Sequence, residues 1–315
     1  MNEEIKLAAV VVTYNRLDKL KIALNCYDKQ TKQGDYLIII DNCSTDGTSE
    51  YLNEWKDISS QYEKRVLTTE SNIGGAGGFY TGMKYALDLN VSWIWVADDD
   101  AYPNLNAFES FYNYIGYKEV TKIAGICSSV YDNDKISLFH RRRLHGKFVT
   151  EFKAVDENEY GKEEFQIDMS SYVGSIFNAD ALRMCGLPLK DLFIYCDDSE
   201  HCLRLVKYGR MICVPSIQVE HCDGSLQMDK SVVLSWRDYY LCRNYIYMMK
   251  KYFIMTAIHE SILRFWYISR MYQKGKYNKE CFKLMCRALS DAWFGRLGIH
   301  QKYKPGFSIS INYIT

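Results

Sequence analysis

Residues Trp93 to Tyr102 read Trp-Ile-Trp-Val-Ala-Asp-Asp-Asp-Ala-Tyr, an apolar run that breaks off in three consecutive carboxylates. A run that is apolar at every position and rich in aromatic and β-type residues predicts a strand covered on both faces. Three adjacent like charges cannot stay in a core without partners, so they must stand where the strand emerges. In an open parallel sheet, ligands bind in the crevice beyond the carboxyl ends of the strands. Clustered carboxylates there suit a hard divalent cation, which takes oxygen ligands and shares them with the phosphates of a bound molecule. Taken alone, the triplet reads equally well as a solvated acidic turn capping the next helix.

The preceding residues repeat the pattern. Leu7 to Val12 is a β-branched strand running into the polar turn Thr13-Tyr14-Asn15-Arg16, and Leu17 to Lys29 has helical apolar spacing. Tyr36 to Ile40 is a second buried strand ending in Asp41-Asn42. Ser44-Thr45-Asp46-Gly47-Thr48 then supplies N-cap chemistry for a helix through Trp55. Val66-Leu67-Thr68 predicts a third strand. It leads into Ser71-Asn72-Ile73-Gly74-Gly75-Ala76-Gly77-Gly78-Phe79, read as a glycine loop with a helix from about Gly78 to Leu89. Strands alternating with helices imply right-handed crossovers and a parallel sheet covered on both faces. Each strand therefore ends in polar residues at one edge, namely Thr13 to Arg16, Asp41, Asn72 and Asp98 to Asp100, as a nucleotide crevice requires. A carboxylate such as Asp41 can accept from a base N–H or a ribose hydroxyl. Glycines let backbone N–H groups approach a ligand, although a loop needing positive φ explains them as well. The cluster lacks the Gly-Lys-Ser/Thr ending of a P-loop and follows the third strand, which excludes a dinucleotide fingerprint.

The 315-residue chain is a quarter charged and nearly half apolar, so it is globular with ample core. Its net charge of zero gives no general case for nucleic acid. The charge is unevenly spread: from Lys230 onward there are 15 Lys plus Arg against 4 Asp plus Glu. A basic tail on an acidic body suits an anionic partner such as a membrane surface. The 11 cysteines show no framework spacing, and neither a signal peptide nor a membrane-spanning run is evident. The expectation is a cytoplasmic protein with reduced thiols, peripheral on the inner face of the cell membrane if the tail binds lipid.

Four segments carry a family resemblance: Val11 to Arg16, Asp41 to Thr48, Asn72 to Phe79 and Asp98 to Asp100. In this order and spacing they resemble the family 2 glycosyltransferases, which have the α/β GT-A nucleotide-sugar-binding fold, a Rossmann-like central mixed sheet flanked by helices. The Asn-x-Gly-Gly-x-Gly-Gly-Phe element and the triple aspartate are most similar to the galactofuranosyltransferase-like and rhamnosyltransferase-like branch. The resemblance implies that Thr13, Tyr14, Asn15, Arg16 and Asp41 bind the uridine part of a UDP-sugar donor. Asn72, Gly74, Gly75, Asp98 and Asp99 complete the donor site. Asp98 and Asp100 would hold Mn2+ or Mg2+ on the donor diphosphate, and His221 would complete the metal shell.

The resemblance covers roughly Val10 to Asn244. It implies a catalytic domain over 1–228, with a nucleotide-sugar half at 1–101 and an acceptor half at 102–228. A helical, basic C-terminal region follows at 229–315. In the acceptor half, Phe108 to Tyr117 predicts a helix, Ile123 to Val130 a strand, and Tyr172 to Phe177 a strand into the acceptor site. Arg141-Arg142-Arg143 is read as a solvated hairpin, and Met211 to Pro215 as a short edge strand, with Ile217 to His221 following. Asp223-Gly224-Ser225 reads as a flexible connection. The loop Asp197-Asp198-Ser199-Glu200 opens a helix whose apolar face includes Cys202, Leu203, Leu205 and Val206. Acids also enrich first turns because they suit the helix dipole. By resemblance Asp198 is the general base, with Asp197, Glu200 and Trp236 at the acceptor. Arg243, in the element Tyr239-Tyr240-Leu241-Cys242-Arg243-Asn244, is expected near the diphosphate or the core. Further on, Phe253, Ile254, Ile258, Ile262, Phe265 and Trp266 share one helix face, which either caps the core or lies on a membrane.

The expected reaction is inverting, metal-dependent transfer of a hexosyl residue, with galactofuranose the candidate, to a hydroxyl of a growing, lipid-linked cell-surface glycan. A carboxylate removes the proton of the attacking hydroxyl, an effect worth roughly 10²–10⁴-fold. The rivals are rhamnosyl transfer from dTDP-rhamnose, a nucleotidyltransferase, and a non-catalytic glycan-binding scaffold. The nucleotidyltransferase would need a basic Gly-rich loop after the first strand, where Thr13 to Arg16 stands; the scaffold would lack the acids.

Overall fold

The computed structural model describes residues 5–118, 120, 122–222 and 232–310, which excludes Asp223-Gly224-Ser225. The chain forms two compact units. One comprises Met1–Leu144, Phe152–Leu189 and Asp198–Asp223; the other comprises His145–Glu151, Lys190–Asp197 and Gly224–Thr315. The second unit takes two short segments from within the first 228 residues, which one boundary between 228 and 229 does not provide.

The first half alternates β1 (Leu7–Thr13), α1 (Leu17–Asp28), β2 (Tyr36–Asp41), α2 (Thr48–Trp55), β3 (Glu63–Thr68), α3 (Gly74–Asp88) and β4 (Trp93–Asp98). Then come β5 (Ala101–Pro103), α4 (Ala107–Tyr117), β6 (Ile123–Asp132), β7 (Lys135–Ile136), β8 (Arg141–His145) and β9 (Glu151–Ala154). They are followed by β10 (Phe165–Ile167), β11 (Met169–Ser170), β12 (Ser175–Asn178), α5 (Ala179–Cys185), α6 (Asp197–Leu205) and β13 (Arg210–His221). The main sheet runs β10-β13-β6-β12-β4-β1-β2-β3, with β5 against β13 and β7 against β6. Pairs β1–β2, β2–β3 and β1–β4 are parallel, whereas β12 runs antiparallel to both β4 and β6.

β1 is buried along its whole length because both faces are covered. Leu7, Ala9 and Val11 pack with Leu20, Leu24, Tyr27, Phe108 and Phe111; Ala8, Val10 and Val12 pack with Phe79 and Met83 of α3. The two-residue repeat of a strand delivers alternate residues to these two layers.

Four expectations are corrected. The glycine cluster is helical from Gly74, in place of a loop up to Gly78. A Cβ at Gly82 would stand 2.3 Å from Val10 Cγ1, and one at Gly78 2.5 Å from Val12 Cγ1, so these glycines let α3 press onto β1. Met211 to Pro215 is no short edge strand but part of twelve-residue β13, which lies between β10 and β6. Proline is tolerated there because the register with β6 is broken between Cys213 and Gln218. Arg141 is fully buried, not solvated; its guanidinium bonds the carbonyls of Ser128, His140 and Val173 and the hydroxyls of Ser128 and Ser170. Also, the strand expected over Tyr172 to Phe177 occupies Ser175–Asn178.

The second unit contains β14 (Val232–Ser235), α7 (Trp236–Tyr252), α8 (Ile254–Gln273), α9 (Lys279–Trp293) and β15 (Ser308–Ser310). Ser235 and Asp238 form a capping box on α7. Tyr239, Tyr240, Ile246, Leu284 and Ala288 belong to its core, joined by Phe193 from the segment Lys190–Asp197.

Candidate active site at the carboxyl edge of the parallel strands

The register brings the acidic triplet against the turn after β1. Val12 pairs with Asp98, so Thr13 and Arg16 stand beside the next two aspartates. Thr13 Oγ1 donates to Asp99 at 2.7 Å, and Arg16 Nη1 donates to Asp99 at 3.3 Å and to Asp100 at 2.6 Å. Lys19, one turn into α1, donates to Asp100 at 3.0 Å and to the Cys222 carbonyl at 2.8 Å.

His221 arrives by strand pairing. β5 starts directly after the triplet and runs antiparallel to the end of β13, making His221 the partner of Ala101. The Cys222 N–H donates to the Asp100 carbonyl, and His221 Nε2 lies 3.5 Å from Asp100 Oδ1. His140 meets His221 edge to face at 5.1 Å and is held at Nδ1 by Ser171 Oγ, 2.7 Å away.

Burial pushes the Asp98 carboxyl up, and the charges of Asp100 and Asp99 push it further; His221 and Arg16 oppose the rise. Burial likewise raises Asp99 to about 6 against the opposing Arg16. Asp100 stays well below the usual range in spite of its burial, because His221, Arg16 and Lys19 all favour its charged form. Burial opposes the charge on Arg16, yet Asp99, Asp100 and Asp98 outweigh it and raise its pKa. Burial, with Arg141 and His221, takes His140 down to about 2, so it stays neutral at physiological pH.

The expected donor residues fare differently. Tyr14 is exposed, and Asn15 adopts a left-handed conformation (φ 52°) with its side-chain oxygen on the Thr45 N–H at 2.7 Å. Asp41 has no exposed surface, and its carboxylate accepts from the Ser44 N–H and the Ser49 hydroxyl. In this arrangement it fastens the turn after β2. Asn72 Oδ1 accepts from the Gly74 N–H at 2.8 Å and from Asn42. A Cβ at Gly75 would meet nothing within 4 Å, so this glycine faces open space.

The acid loop before α6 is reached through unusual backbone. Phe193, Tyr195 and Cys196 all have φ between 64° and 68°, a region costly for residues with side chains. Asn244 holds the segment, its amide reaching the carbonyls of Leu192 (2.8 Å), Ile194 (2.7 Å) and Tyr195 (3.0 Å). Arg243 adds the carbonyls of Leu192 and Gly298, a place in the core and on this loop. The sequence reading left Asn244 without a role; a buried Arg-Asn pair in an otherwise aromatic helix was the available signal.

Asp198 is half-buried and accepts from the Ser199 N–H and hydroxyl. Burial raises its pKa, against the Ser199 hydrogen bonds and the charge of Arg142. Arg142, whose charge opposes that rise, also acts on His140. Asp197 is buried, and Trp236 packs on Phe193 and Tyr240. Glu200 is fully buried, with its carboxylate on Arg204 at 3.0 Å.

Among the described residues no three His, Cys, Asp or Glu side chains are gathered as a ready metal site. The donor types suit a cation nonetheless: the Asp100 carboxylate and the His221 imidazole lie 3.5 Å apart, and the charges of Asp100 and Asp99 add to burial in raising Asp98.

A parallel half-sheet in the order β4-β1-β2-β3, with an acidic turn at its carboxyl edge and antiparallel strands beyond, defines a GT-A fold. GalNAc-T7, solved with UDP, GalNAc and Mn2+, shares this fold with a TM-score of 0.60 at 13% identity, over 93% of this chain and 57% of that one. The chain belongs to glycosyl transferase family 2, whose family model matches residues 8–182. Galactofuranosyltransferase GlfT1 of Mycolicibacterium smegmatis is 29% identical over 204 residues, 64% of this chain and 66% of that protein. dTDP-rhamnosyl transferase RfbF of Shigella flexneri is 26% identical over 254 residues, 77% of this chain and 79% of that protein. The match to the mycobacterial relative thus spans just under two thirds of its length.

Proposed function

We propose that this chain is an inverting glycosyltransferase that moves a hexosyl residue, galactofuranose first among the candidates, from a UDP-sugar to a hydroxyl of a lipid-linked glycan. The observation that carries the reading is the convergence of Asp100 and His221 beside Asp98 on a family 2 fold. The name of the mycobacterial relative supports galactofuranose, and the UDP in GalNAc-T7 supports the nucleotide.

In this reading Asp98, Asp100 and His221 hold Mn2+ or Mg2+. When bound, the ion neutralises the donor diphosphate and the charge that builds on it as the glycosidic bond breaks. Thr13, Tyr14, Asn15, Arg16, Asn72 and Gly75 receive the nucleotide. Asp198 takes the proton of the acceptor hydroxyl as the new C–O bond forms, and its raised pKa makes it a better base than a solvent-exposed aspartate. Asp197 and Trp236 orient the acceptor, and the basic C-terminal region keeps the enzyme at the membrane that carries it. No helix among the described residues is long and apolar enough to cross a membrane.

Rhamnosyl transfer from dTDP-rhamnose is the second reading, because the Shigella flexneri relative matches more of the chain than the mycobacterial one. Release of UDP against dTDP from a donor panel, with and without Mn2+, separates them. Asp198→Asn is expected to lower transfer by roughly 10²–10⁴-fold while donor binding persists. Full activity in that variant removes Asp198 as the base, and turnover of neither nucleotide sugar ends the proposal.

A further inference from the structure

α8 is packed by one side only. Thr256, Ala257 and Ile268 are buried, and Ser261 Oγ accepts from the Trp293 indole at 3.0 Å. Away from them the helix presents Ile254, Met255, Ile258, Ile262 and Trp266, with Phe265 and Tyr272 at the edge where their rings approach Phe282 of α9 at 6.2 and 5.4 Å; each of the seven is between 41% and 63% exposed. At about 100° per residue these side chains fall within an arc of about 120° that runs the length of the helix. A cap on the core would bury that arc.

The charges around it are of one sign. The only carboxylate on α8 is Glu260, which lies outside the arc and is paired with Arg264 at 3.5 Å. Lys251 is exposed just before the helix, and Arg270, Lys274 and Lys276 are exposed at its far end. Arg270 lies over the Trp266 ring at 5.1 Å, its stem along apolar surface and its charge at the border. An apolar face with Trp and Tyr, bordered by cations, is complementary to an anionic lipid surface: the rings enter the headgroup boundary and the cations meet lipid phosphates.

We propose that the exposed face of α8 lies on an anionic bilayer and is the element that brings the enzyme to its acceptor. It deepens the membrane-linked acceptor reading, but it is tested without sugar. The purified full chain is floated with vesicles of phosphatidylcholine alone, or with a third of phosphatidylglycerol, at low and high salt. Co-flotation with the anionic vesicles, weakened by salt, is expected, and I262E/W266E should lower it by about tenfold or more. Both positions are exposed, so circular dichroism and melting should not change. In the unmutated chain, lipids brominated near the headgroup should quench fluorescence that Trp266→Phe removes. Absence of flotation at low salt, equal flotation of the double variant, or no Trp266-dependent quenching overturns the proposal. So does self-association of the native chain that I262E/W266E abolishes without vesicle binding, which would assign the face to a second copy. Loss of transfer with retained flotation would sink the proposed activity and leave this assignment standing.

Discussion

The packing of α3 on β1 predicts opposite stability effects for two Gly→Ala changes. At Gly82 the added Cβ would lie 2.3 Å from Val10 Cγ1 and 3.1 Å from Ile40 Cγ1. Ordinary carbon contacts are about 3.5–4.0 Å, so the helix or the strand must move by more than about 1 Å. Val10 and Ile40 are fully buried in neighbouring strands and cannot swing away. Overpacking of this kind costs about 1–3 kcal/mol, whereas alanine in a helix interior returns about 1 kcal/mol. Gly82→Ala should therefore destabilise by up to about 2 kcal/mol. Gly116 in α4 is the control: a Cβ there meets nothing within 4 Å, so Gly116→Ala should be neutral or stabilising by up to about 1 kcal/mol. Urea unfolding of the three proteins, compared at constant m, reads the difference as shifts of the midpoint. If Gly82→Ala is as stable as the native chain but loses donor binding, the glycine serves the ligand and the packing argument fails.

Two further outcomes follow from buried polar groups. His201 is fully buried between the Tyr172 hydroxyl (2.9 Å) and the Gly186 carbonyl (3.1 Å), and burial, with Arg204, lowers its pKa to about 3. Unfolded, it binds a proton from its ordinary value of 6.5 downward, so its contribution is fully present above pH 6.5 and is lost as pH falls toward 3. By pH 5 the loss should be about 2 kcal/mol, measured as a falling urea midpoint that His201→Gln flattens; equal slopes refute it. Asn244→Ala removes three hydrogen bonds to carbonyls beside strained backbone and should cost about 1–3 kcal/mol. It should also lower transfer at saturating donor more than it weakens donor binding in calorimetry, because the loop it holds runs into Asp198; unchanged turnover would confine Asn244 to stability.

The alternation of β1 to β4 with three helices was legible because it is local: apolar runs end in turn residues, and the period changes from 2 to 3.6. The acid loop was legible as a motif. What sequence could not supply was register. His221 stands by Asp100 because three-residue β5 pairs with the end of β13, and a three-residue strand carries almost no pattern of its own. Arg141 was misread for a related reason. A charged triplet looks solvated until acceptors from Ser128, His140, Ser170 and Val173 assemble around its middle-strand guanidinium, and these come from three separate segments.

Around the candidate site, local preference is overridden at the strand edge and in the loop before α6. Asn15 and Cys43 hold positive φ immediately after β1 and β2, and Phe193, Tyr195 and Cys196 do so before Asp198. Asp98 and Asp99 are kept in a buried turn that raises both of their pKa values. Such features cost stability and persist only when their surroundings impose them. Here Asn244 imposes the second group through backbone carbonyls, and Arg16 with Lys19 compensates the aspartates from a single turn of α1. Positive charge is therefore already recruited to the triplet from the protein itself. A cation or a cation-bound diphosphate entering there meets a site whose repulsion is only partly relieved, which is why the carboxyl edge, and not the better-packed remainder of the sheet, is the place to look for chemistry.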